Sequence, residues 1–101
     1  MASTTTKQAK PINVNDPNVI DVAKFAVDAY NRKGIRIPES KLRLEKVNKG
    51  ESQYVIDGAN YNLTLSAIDV FIHKSNDYEA IVLELSVHHL RNLTSFKPIN
   101  A

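Results

Sequence analysis

Three histidines, His73, His88 and His89, and the nearby Ser86 are the side chains whose chemistry could reach beyond packing. A metal ion needs several ligands converging on one point. His88 and His89 are adjacent, and neighbours on a strand point to opposite faces, so the pair does not converge there, and no third ligand is spaced near it. Surface histidines in a loop are the simpler reading, with a role as polar contacts the alternative. Ser86 lies close to His88, but Ser-His hydrolysis also needs an acid to orient the imidazole and amides for the oxyanion, and neither is identifiable. The chain has no cysteine, which removes thiol catalysis, disulfides and Cys-based zinc sites and leaves the fold to packing alone. What remains is apolar: Tyr54, Val55 and Ile56 run into the turn signal Asp57-Gly58. They either continue a strand ladder or, at an exposed tip, make a contact surface.

The elements that position these residues must fit in 101 residues with 43% hydrophobic content, enough for one compact core. Lys and Arg number 13 against 11 Asp and Glu, a net charge of +2 spread along the chain. No basic stripe marks a nucleic-acid surface, so nucleic acid is not an expected partner. No run approaches the roughly 18 apolar residues of a membrane span, so no membrane partner is expected either. The amino terminus lacks the apolar stretch of a secretory signal, which favours a cytosolic chain slightly over a secreted mature form whose leader was replaced by Met. The sequons at Asn62 and Asn92 would matter only if the chain were secreted.

Residues 1–9 are small and polar without periodicity and read as a mobile arm; residues 10–101 read as a single domain. Asp16 can cap a helix and Pro17 can open it. Val19, Val22, Ala23, Ala26 and Tyr30 recur at spacings of three and four, with Phe25 and Val27 widening the stripe and Gly34 closing a helix of about 17 residues. The period then becomes two: Ile35, Ile37, Leu42 and Leu44 alternate with charge. Asn48 to Glu51 reads as a turn, Ser52 to Ile56 as a strand, and Tyr61, Leu63, Leu65 and Ala67 as one face of another. Lys74 to Asp77 reads as a break, followed by strands at Tyr78 to Leu85 and Leu90 to Ile99. One amphipathic helix followed by four to five strands with short turns predicts an α+β fold, an antiparallel meander covered on one face by the helix.

The decapeptide Val22 to Asn31, VAKFAVDAYN, resembles the helix signature of plant cystatins, in which Leu-Ala-Arg-Phe-Ala-Val is followed by three variable positions and Asn. Lys10-Pro11-Ile12, Asn15-Asp16-Pro17, Gly50 to Gln53, Asn60-Tyr61, Tyr78 to Ala80 and Phe96 to Pro98 extend the resemblance over nearly the whole chain. It implies one long N-terminal helix wrapped by a curved antiparallel sheet. It further implies a reversible inhibitor of papain-like cysteine proteases, with no cofactor and no catalytic residue, that occludes the protease cleft with an N-terminal arm and two hairpin loops.

The contact segments depart from the family pattern. Its Gln-x-Val-x-Gly first loop stands here as Gln53-Tyr54-Val55-Ile56-Asp57-Gly58, one residue longer. Counting from Gln53 puts Asp57 where Gly belongs; counting back from Gly58 makes Tyr54 and Ile56 the equivalents of Gln and Val. Lys7 and Gln8 occupy the place of the arm's glycine pair. Ser86-Val87, with His88 beside them, replace the second loop's Pro-Trp, and loss of that Trp represents roughly 2–4 kcal/mol of binding. A cystatin-like module that binds another protein without inhibition is the alternative. A monomer is expected, with a domain-swapped dimer as the other state this fold allows.

Overall fold

The structure is a computed structural model that describes residues 9–33 and 41–99. Strand β1 (Lys10–Pro11) leads to helix α1 (Pro17–Arg32) and then to β2 (Leu42–Val55), β3 (Gly58–Asp69), β4 (Lys74–Leu85) and β5 (Arg91–Pro98), with a 3-10 turn at Val87–His89. The five strands form one antiparallel sheet in the order of the chain. This is the expected α+β meander.

Helix α1 starts where the sequence places it. The Asp16 carboxylate accepts from the Asn18 amide at 2.8 Å, and Pro17 takes the first position, where no amide is needed. Its stripe of Val19, Val22, Ala23, Ala26 and Val27 is buried against Leu63, Leu65 and Ala67 of β3, Tyr78, Ala80 and Val82 of β4, and Leu93 of β5. Tyr30 stacks on Phe96 at 4.3 Å between centroids, and Phe96 stacks in turn on Tyr78 at 5.1 Å. The helix ends after 16 residues, its last turn closed by the Lys33 amide, which is shared between the Ala29 and Tyr30 carbonyls. Gly34 and the Ile35–Ile37 alternation lie outside the described residues.

Asn31, the last residue of the signature decapeptide, ties the helix end to the sheet. Its Nδ2 donates to the Leu42 carbonyl at 2.9 Å, and its Oδ1 accepts from the Leu42 amide at 3.0 Å. One side-chain amide thus stands in for a strand neighbour at the start of β2. A primary amide supplies the donor and acceptor together, which a carboxylate does not.

Two expected turns are not turns. Strand β2 runs unbroken through Asn48 to Glu51, because register shifts after Leu44 and after Val47 insert Glu45 and Asn48 as bulges. Each bulge rotates the strand, so Leu42, Leu44, Val47 and Gly50 face inward at spacings of two, three and three. Gly50 is a packing residue: a Cβ there would meet Leu63 Cδ2 at 3.0 Å and Ile12 Cγ1 at 3.1 Å. The expected break at Lys74 to Asp77 is also strand, and the chain instead reverses through residues 70–73, just after Asp69. Leu90 precedes the last strand rather than opening it.

Candidate functional site

Two hairpin turns share one end of the sheet. Val55 pairs with Gly58 around a two-residue tip, Ile56 and Asp57, and Gly58 pairs with Leu85, where β4 runs into the second turn. Asp57 has φ of 65°, a left-handed conformation that Asp enters more readily than most residues. The sequence places this reversal at Asp57-Gly58; the structure places it one residue earlier, with Gly58 inside the ladder. Gly58 is required there because a Cβ would lie 2.2 Å from the Glu84 carbonyl oxygen.

The second turn holds Ser86, the 3-10 turn and Leu90. Leu85 donates to the Leu90 carbonyl at 2.7 Å to close it, and both His88 (φ 60°) and His89 (φ 50°) are left-handed. The two turns are joined directly, since the Ser86 amide donates to the Asp57 carbonyl at 2.8 Å. Each carries large exposed apolar side chains: Tyr54 (67%) and Ile56 (69%) on the first, Val87 (59%) and Leu90 (56%) on the second. Val55 is half-buried, Gln53 pairs with Asn60 further down the ladder, and Ser86 and His88 are exposed. A shallow cavity of about 280 Å³ between the turns is lined by Tyr54, Gly58, Ala59, Glu84, Leu85, Ser86 and His89.

Behind the turns a polar cluster braces the sheet against the helix. Arg91 donates to Glu84 at 3.0 Å and to Asp21 of α1 at 2.7 Å. Burial alone would lower the pKa of this guanidinium, but its bonds to the two carboxylates raise it above its ordinary value. The Tyr61 hydroxyl accepts from Asn18 at 3.4 Å, and burial together with the negative charge of Glu84 pushes its pKa upward.

Strand β1 approaches from the same end. Lys10 faces Ser52 and Pro11 faces Glu51, so β1 runs away from the turns and its N-terminal end points toward them. Lys7 and Gln8 lie outside the described residues. The sequence reading brought Tyr54 to Gly58 and Ser86 to His88 to the site, and it missed Leu90, whose apolar character is equally compatible with a strand start. Among the described residues no group of three or more His, Cys, Asp or Glu could hold a metal.

One helix packed on a five-stranded antiparallel meander, with two tied apolar turns at one end, is the cystatin class of fold. Residues 12–99 match the family model described as aspartic acid proteinase inhibitor (SQAPI). The chain is 43% identical over 88 residues to cysteine proteinase inhibitor 5 of Arabidopsis thaliana, spanning 87% of this chain and 67% of that protein. The solution structure of the squash aspartic acid proteinase inhibitor is similar at a TM-score of 0.68 and 31% identity, over 88% of each chain. Dimeric human cystatin F shares the fold at a TM-score of 0.78 and 13% identity, over 99% of this chain and 92% of that one. The chain belongs to the cystatin family, among its plant proteinase inhibitors.

Proposed function

We propose that this chain is a reversible inhibitor of papain-like cysteine proteases that acts as a monomer and blocks the cleft without being cleaved. The observation that carries this reading is the Ser86 to Asp57 bond, which holds two exposed apolar turns as one edge. An edge already ordered displaces cleft water at little entropic cost. Ile56 and Asp57 form its leading tip, Tyr54 and Val55 its flank, and Val87, His88 and Leu90 the second contact. Lys7 and Gln8 would add contacts from the arm. Gln53, Gly58 and Ser86 hold the edge in shape. Inhibition follows from occlusion: no peptide bond of the edge need adopt the near-attack geometry that acyl transfer requires.

A second target class is aspartic proteinases, which both the matching family model and the squash relative name. The second turn favours it too, because Ser86-Val87 lack the Trp that would anchor a cystatin in a papain-like cleft. Titration of papain and of pepsin from nanomolar to tens of micromolar inhibitor separates the two. Ile56→Asp and Val87→Asp are the informative variants, since both side chains are exposed and point away from the fold. Papain inhibition lost by at least tenfold in both variants supports the cysteine-protease reading. Pepsin inhibition alone moves the assignment to the second class. Inhibition of neither enzyme leaves a binding module of the cystatin fold.

A further inference from the structure

The opposite end of the sheet carries a feature that protease inhibition does not use. Residues 70–73 reverse the chain between β3 and β4 and present three consecutive apolar side chains, Val70, Phe71 and Ile72, with Phe71 61% exposed. Water-facing turns are ordinarily built from Gly, Asn, Asp, Pro or Ser. The backbone amides here are tied down. Val70 donates its amide to the Lys41 carbonyl at 3.0 Å, Phe71 and Ile72 donate to the Asp69 carboxylate at 2.9 and 3.3 Å, and His73 donates to the Asp69 carbonyl at 2.8 Å. All four amides of the reversal therefore have partners within the chain. Paired amides lower the cost of bringing this backbone toward an apolar phase, and at the headgroup level water still reaches the carbonyls.

The rim is cationic. Lys41, Arg43 and Lys74 are exposed around the turn. Acids also lie at this end, Asp69 facing its own loop amides, Asp77 accepting from the Ser66 hydroxyl at 2.7 Å and Asp28 lining a cavity with Arg43, but among the described residues none forms an ion pair with Lys41, Arg43 or Lys74. His73 stands at the end of the turn with φ of 56°. An apolar apex ringed by cations complements a surface that is apolar beneath and anionic above. The patch spans three side chains, far short of the roughly 800 Å² per partner of a stable protein interface.

We propose that the Val70-Phe71-Ile72 turn docks the protein peripherally on anionic lipid bilayers, the apex entering the headgroup boundary and Lys41, Arg43 and Lys74 lying against the acidic headgroups. The tied turns sit at the other end of a molecule 51 Å long, so they face away from the surface and remain free for a protease. No helix among the described residues is long and apolar enough to cross a membrane, and the proposed contact does not require one. Binding is weak and reversible, each cation contributing about fivefold to partitioning.

The test is co-sedimentation of the full chain with vesicles of phosphatidylcholine alone or with 30% phosphatidylserine. The expected result is binding to the anionic vesicles that exceeds binding to the neutral ones by at least tenfold and weakens with salt. Phe71→Ser/Ile72→Ser and Lys41→Glu/Lys74→Glu should each reduce it at least tenfold while leaving protease inhibition unchanged. The chain has no tryptophan, so Phe71→Trp provides a single tryptophan, excited apart from the tyrosines at longer wavelength, whose spectrum should shift to the blue on anionic vesicles, even if the double variants fold poorly. No spectral shift and no sedimentation overturns the proposal. So does equal binding to neutral vesicles, or a dimer in light scattering that Phe71→Ser disperses without any lipid binding, which would assign the turn to a protein contact.

Discussion

The Ser86 amide and the Asp57 carbonyl oxygen, 2.8 Å apart, join two turns that are separated in sequence by the whole of β3 and β4. The bond makes the edge a single object. Ser86→Pro removes the donor and sets the ring Cδ where the amide hydrogen pointed at the Asp57 oxygen, so it forces the two turns apart, although φ of −64° at Ser86 and the extended Leu85 otherwise suit proline. Stability should fall by more than the roughly 1 kcal/mol of one hydrogen bond, because the ring also clashes with the acceptor. Inhibition should weaken by about tenfold, because each newly mobile side chain must be ordered on binding. Thermal melting and a titration of the inhibited protease check the two effects together; unchanged inhibition would show that the turns act separately.

Gly58→Ala should destabilise the fold by about 1–3 kcal/mol, the usual range for forced overpacking. The added Cβ meets backbone, Glu84 O at 2.2 Å and Leu85 Cα at 3.1 Å, so no side-chain rotation relieves it. Denaturant unfolding measures the loss. For the same reason a bulky residue at Gly58 is a poor probe of cleft entry, since it distorts the edge before any protease arrives.

His88→Gly should have the opposite sign. A non-glycine residue in the left-handed region costs roughly 1–2 kcal/mol, and part of that returns when the Cβ is removed. The thermal midpoint should rise by about 2–6 °C. If inhibition drops at the same time, the imidazole is a contact and the turn holds it at the expense of stability; if inhibition is unchanged, His88 is only a surface residue.

Tyr61 predicts an alkaline limit. Its folded pKa is raised above the ordinary 10.0, first by burial and then by the charge of Glu84, so the folded state holds this proton more tightly than the unfolded state. The resulting stability is complete below pH 10.0 and is lost as pH rises through the raised folded value. Melting temperatures of the parent and of Tyr61→Phe, compared across this window, should show the parent declining more steeply. Parallel curves would contradict the assignment.

The helix, its cap at Asp16 and Pro17, the buried face of β3 and the α+β order were legible because each rests on short-range periodicity or local capping chemistry. The family resemblance was legible for the same reason, and within it Asn31 marked a position whose work became visible only as the paired bonds to Leu42. The path of β2 was not legible. Asn48, Lys49 and Gly50 have the composition of a turn, yet they sit in a bulged strand that must bring Gly50 under Ile12, a contact with a residue far away in the chain.

The sequence by itself determined which faces are apolar, because alternation and helical spacing are properties of neighbouring residues. Only the tertiary structure decided where the chain reverses. The tip moved to Ile56-Asp57 because Gly58 must pass close to Glu84, and the β3–β4 reversal fell on Val70 to His73 because the Asp69 carboxylate and the Lys41 carbonyl are there to receive its amides. The Asp69 bonds reach only two and three residues ahead and are local turn chemistry, but Glu84 and Lys41 lie far away in the chain and no local pattern encodes their part. The joining of the two turns through Ser86 and Asp57 is of the same kind: it exists only once β3 and β4 are paired in register.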